Sequence, residues 1–288
     1  MRALCAVVLC APRLAWAQAA CDAPDDYDEQ VQQDFLQNHP ALALTFSPVH
    51  GPMPHDPGRG ALGLDLAFIP PLSCEKRLVL YGTKTEDANV SPIAPKLHAS
   101  FAFPGLPFAF YVGMAYVPPV KIFGQQTLLV SGEVGFGHAF IPSLQALQLG
   151  ARLHFSTGNT VANLASAFRE SDGAEVDDLF THSSMGLDVM SGFDLGMFTP
   201  YVAFGFTDVT TFFYVGDTGN VTNNQHPYAS FVFSVGVDGL AFDHFRWGVE
   251  FYGAPGGYSP LDAESDAAAP PAAYGHLYTA RARFAYEF

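Results

Sequence analysis

The sequence predicts an all-β fold, an antiparallel up-and-down transmembrane β-barrel of about 12 strands, with 10 or 14 as the neighbouring possibilities. Three observations lead there. Apolar and polar residues alternate in segment after segment. The chain carries 27 Gly and 22 Pro among its 288 residues, a load of turn formers that suits many short strands. Working back from the C-terminus, long links (254–275, 216–227, 157–179) alternate with short ones (239–243, 195–198, 142–143), as they do where a barrel has one looped rim and one tight rim.

Residues 1–20 read as a secretory signal peptide. Arg2 precedes an apolar stretch from Ala3 to Leu9, and Ala15-Trp16-Ala17 and Ala17-Gln18-Ala19 are small-x-small cleavage sites. Lipidation at Cys21 is the alternative, although Gln18 stands where Leu is usual. No later segment has the 18 or more apolar residues of a membrane helix, so an exported chain of this composition could span a bilayer only as a closed barrel.

Residues 21–40 are expected to form a periplasmic N-terminal cap or plug segment, with a short acidic helix near 25–38, and 41–288 the barrel. The expected strands are 41–47, 60–69, 76–82, 97–103, 108–117, 126–140, 147–156, 184–194, one between the 195–198 and 216–227 links, 229–238, 244–251 and 276–288. Pro104, Gly105 and Pro107 stop the ladder between 103 and 108. With twelve strands both termini lie at one rim, which also places Cys21 beside Cys74 and suggests a disulfide.

The terminal strand shows the pattern most fully. Tyr278, Ala280, Ala282, Phe284, Tyr286 and Phe288 share one face; Thr279, Arg281, Arg283, Ala285 and Glu287 share the other. An alternating strand that ends the chain on Phe resembles the C-terminal assembly signal of Gram-negative outer-membrane β-barrels, with Phe284, Tyr286 and Phe288 in that role. The resemblance implies an outer-membrane location, outer-membrane lipid and lipopolysaccharide as surroundings, and the barrel assembly machinery as a partner. It also implies passive passage of small solutes or apolar molecules, through a narrow channel or transporter. A filled structural or surface-interaction barrel is the alternative, and a soluble secreted sandwich is a third reading.

The polar parity nominates a lumen lining of Asp65, Glu133, Arg152, His154, Asp188, Asp238, Arg246, Glu250, Arg281 and Arg283. A two-residue turn at Pro142-Ser143 would set Glu133 directly against Arg152. Gly135 and Gly137 read as inward glycines that leave room in the lumen.

No enzymatic activity is expected. His182 and Ser184 resemble the His-x-Ser of outer-membrane phospholipases and lipid A deacylases. Gly196 stands where their third member would fall, however, and both residues share the inward parity of Asp188. No metal and no cofactor are expected. The ten His are dispersed, and the acidic loop 170–178 lacks the spacing of a calcium site. A net charge of −15 argues against nucleic acid. Cargo and oligomeric state leave no mark in the sequence.

Overall fold

The computed structural model describes residues 29–45, 48–68, 78–79, 84–85, 93–122, 125–139, 146–162, 177–216, 219–223, 228–255 and 277–288. Ten long strands form the wall. They are β1 (Gly60–Phe68), β2 (Ile93–Phe103), β3 (Ala109–Val117), β4 (Gln125–His138), β5 (Leu147–Ala162), β6 (Asp178–Phe193), β7 (Phe198–Val215), β8 (Tyr228–Ala241), β9 (Phe245–Ala254) and β10 (Leu277–Glu287). Each pairs antiparallel with its chain neighbours. The ring closes where β1 meets β10, with Leu64 opposite Phe284 and Asp65 opposite Arg283. Closure leaves no unpaired strand edge in the wall, which is what allows a sheet to sit in hydrocarbon.

Among the described residues the barrel therefore has ten strands, not twelve. Residues 41–44 complete a helix, α1 (Glu29–Leu44), instead of opening the sheet. Ala-Leu-Ala-Leu reads equally as an alternating strand, yet Ala and Leu are strong helix formers. Ala41, Leu42 and Ala43 are all buried, so the segment is covered on every side and not on alternate faces. The 76–82 segment contributes only Leu78–Val79, paired with Lys84–Thr85 in a separate two-stranded sheet. The topological reason for setting Cys21 beside Cys74 goes with the twelfth strand; both cysteines, like the signal segment 1–20, lie outside the described residues.

Each strand turns its apolar parity outward. Leu62, Phe155, Met185, Leu187, Val189, Phe204, Phe231, Val249 and Tyr286 are exposed on the barrel's outer surface, while the intervening residues are buried. A surface that apolar is stable against acyl chains and unstable against water. Aromatic rings gather at the rim shared by the start of β1 and the C-terminus. There Phe103 lies 5.3 Å from Phe101, Phe245 stacks on Phe284 at 6.3 Å, and His244 stacks on Tyr286 at 5.2 Å. Gly105 and Gly196, with φ of 82° and 88°, make the tight turns there that residues with a Cβ adopt only at a cost.

Candidate functional site: the plugged lumen

Inward parity delivers the charged side chains to the lumen. Arg152 on β5 faces Asp188 on β6 as a direct cross-strand partner, and its Nε donates to the Asp188 carboxylate at 2.7 Å. His154 Nε2 lies 3.5 Å from the same carboxylate. Asp238 on β8 collects Arg246 from β9 and Arg283 from β10, each at 3.0 Å. Glu250 accepts from the Tyr201 hydroxyl at 2.9 Å and stands 3.9 Å from Arg281. Asp65 lies 3.8 Å from His98.

The structure thus places all ten nominated residues on the inner surface, and nine of them are buried, with Arg246 half-buried. One pairing differs from expectation. Glu133 stands opposite His154, and Arg152 opposite Gly135. The β4–β5 link spans 139 to 146, and the register across it is offset by two residues from that of a turn at Pro142-Ser143. A register change of two residues keeps every side chain on its own face, so the parity survives while the partner changes. The space at Gly135 is taken by the Tyr111 ring, and that at Gly137 by Pro52.

Pro52 belongs to a second structure inside the barrel. After α1 a strap without helix or strand, residues 48–59, packs inside the wall against β4, β5, β6, β7 and β9 before β1 begins. Four prolines, at 48, 52, 54 and 57, withhold the amides a ladder would need. Wall side chains hold both bodies in place. Thr211 donates to Gln37 Oε1 at 2.9 Å, Lys96 donates to the Leu44 carbonyl at 2.8 Å, and Arg152 donates to the Pro48 carbonyl at 3.2 Å. His50 Nδ1 lies 2.7 Å from the Gly51 carbonyl, which leaves Nε2 to meet Glu133 at 3.0 Å through one shared proton. His55 donates from Nδ1 to Glu287 at 2.8 Å and accepts from Ser100 at 2.6 Å. Burial holds the His55 imidazole below its ordinary proton affinity despite the Glu287 carboxylate beside it. Arg59 reaches Glu287 at 2.8 Å where the strap leaves the barrel.

His50 and His55 went unread in the sequence. The available signal was proline spacing: a run that can join neither helix nor sheet, between the barrel's first strand and the chain start, has to pack somewhere. His182 and Ser184 face inward on β6. Among the described residues neither His182 nitrogen nor the Ser184 hydroxyl has a hydrogen-bond partner, so the two are not joined as a nucleophile–base couple here. His182 instead stacks on Phe180 at 5.9 Å. Among the described residues no group of three or more His, Cys, Asp or Glu could hold a metal ion. Most of the acidic loop 170–178 lies outside the described residues. No described helix is long and apolar enough to cross a membrane.

A closed barrel with an apolar outer belt and a polar, charged interior is the architecture of an outer-membrane β-barrel. No family description and no curated protein matches the chain. Solved structures with some likeness include the Ralstonia pickettii toluene transporter TbuX, at 9% identity and a TM-score of 0.34, over 71% of this chain and 65% of that one. They include the P. putida toluene transporter TodX, at 11% identity and 0.32, over 87% and 70%. The Escherichia coli outer membrane phospholipase A is a third, at 11% identity and 0.29, over 88% and 98%. The chain spans about two thirds of TbuX (65%). Likeness of this degree carries no argument about activity.

Proposed function

We propose that the chain is a plugged outer-membrane conduit for small polar solutes, opened when the strap yields. The observation that carries this reading is the construction of the filling. The lumen is occupied by the chain's own residues 37–45 and 48–59, tied to the wall by side chains from β2, β4, β5, β7 and β10. A barrel needing only a solid interior can fill it with side chains from its own strands, as small barrels do. A separate segment, attached by a handful of polar contacts, can be displaced without breaking the wall.

In this reading the rim holding the C-terminus faces the periplasm, Phe284, Tyr286 and Phe288 are met by the barrel assembly machinery, and lipid and lipopolysaccharide surround the belt. The protein catalyses nothing. Planar-bilayer recordings test the conduit. Wild type is expected to be nearly silent with brief openings, and His50→Ala/His55→Ala to raise open probability at least tenfold. A double variant that migrates as a heat-modifiable barrel and stays silent would leave the filled structural barrel as the better account.

A further inference from the structure

Between helix and strap lies a layer of polar groups that neither body satisfies. On β8 the residues Tyr228 and Val232 pack on the helix end, Asp238 belongs to the charge network lower down, and Ser234 sits between them. On β7 Val209 meets the helix, Tyr201 meets Gly51 of the strap, and Thr207 sits between. On β6 Phe180 and Gly192, the latter against Pro52, bracket Ser184. On β10 Leu277 and Arg283 bracket Thr279 and Arg281. Among the described residues, the hydroxyls of Ser184, Thr207, Ser234, Tyr252 and Thr279 are buried without a hydrogen-bond partner, and so are all three guanidinium nitrogens of Arg281.

Neighbouring strands bring three of these hydroxyls to Arg281. Thr279, Tyr252 and Ser234 are successive cross-strand partners on β10, β9 and β8. The Arg281 guanidinium lies 4.0 Å above the Tyr252 ring, which fixes its plane. The Glu250 carboxylate is at 3.9 Å, beyond hydrogen-bond reach, and is already engaged by Tyr201 at 2.9 Å. Lys96 approaches from β2 with its ammonium on the Leu44 carbonyl. Donors dominate this layer: a planar fork of guanidinium N–H groups, several rotatable hydroxyls and a second cation. A buried guanidinium without an acceptor is costly, and its fork matches two oxygens of one oxyanion.

We propose that this mid-lumen layer binds a small oxyanion, of the phosphate, sulfate or carboxylate type, between Arg281 and the hydroxyls of Ser234, Tyr252 and Thr279. The site deepens the conduit reading, on which it rests for its meaning as a solute class, but its occupancy can be read without any current.

The test is thermal unfolding of the full-length protein in detergent after overnight equilibration with sodium sulfate or sodium phosphate, against sodium chloride at matched ionic strength. Wild type is expected to show a saturable rise in Tm with sulfate or phosphate and none with chloride. Arg281→Gln, which keeps size and removes charge, is expected to lose that rise. Should Arg281→Gln not assemble, Thr279→Val and Ser234→Ala provide the same reading, each with a several-fold weaker half-saturation. No anion-specific rise in wild type means the layer holds water only and overturns the site. A rise retained undiminished by the assembled variants overturns it too. Binding without current keeps the site and removes the conduit; current without binding keeps the conduit and removes the site.

Discussion

Arg152 shows how much a single inward side chain organises. It joins Asp188 on the adjacent strand to the Pro48 carbonyl of the strap, so wall and plug share one cation. Replacing one member of a buried ion pair leaves the other charged in a poor solvent. Arg152→Met is therefore expected to cost about 3–5 kcal/mol in denaturant unfolding from lipid vesicles, whereas Arg152→Met/Asp188→Leu recovers most of that loss. A single and a double variant of equal stability would contradict the pair's role. At His55 the sign of a pH effect can be worked out. Its proton affinity is lowered by burial in the docked strap, so the docked form is neutral, donating to Glu287 and accepting from Ser100. A base lowered on docking contributes fully above its ordinary titration range, about pH 6.5, and loses that contribution as pH falls through it. Protease cleavage within residues 48–59 is thus expected to accelerate between about pH 7 and pH 5. His55→Gln should flatten the profile, and a wild-type profile already flat would remove His55 from the device.

The elements separate what patterning reveals from what it hides. Inward and outward parity was legible along 147–156, 184–194, 229–238, 244–251 and 276–288, because the side-chain period of two survives any register. Arg281 and Phe284 could be assigned faces from the last thirteen residues alone. Register and strand number were not legible, because both depend on links whose geometry leaves little trace in composition. The eight residues from 139 to 146 look like a tight turn at Pro142-Ser143, and Ala41–Leu44 alternate like a strand while folding as a helix. The strap was hidden for a different reason: it has no period at all, and His50 and His55 gain meaning only from Glu133 and Glu287, which are distant in sequence. Disulfide trapping checks the β4–β5 register from the lipid face. In a background with native cysteines replaced by serine, Val134→Cys/Leu153→Cys should cross-link rapidly, since those positions are direct partners. Val134→Cys/Ala151→Cys should not, and the reverse outcome would restore the two-residue turn.

At the scale of the whole molecule, two nested structures divide the work. The wall supplies a closed hydrogen-bond ladder and an apolar belt, both required by hydrocarbon. The plug supplies the interior, and its polar attachments make it separable from the wall in a way that strand side chains are not. The central claim is that this segment closes a path through the barrel. A Cβ at Gly51 of the strap would stand 3.8 Å from the Tyr201 Cβ on β7, the span a disulfide needs, so a Gly51→Cys/Tyr201→Cys pair in the same cysteine-free background offers a reversible lock. The measurement is single-channel conductance of that variant, first oxidised and then reduced in the bilayer. The account predicts no openings in the oxidised state and their return on reduction. Equal conductance in both states, with the cross-link confirmed on gels, would contradict it.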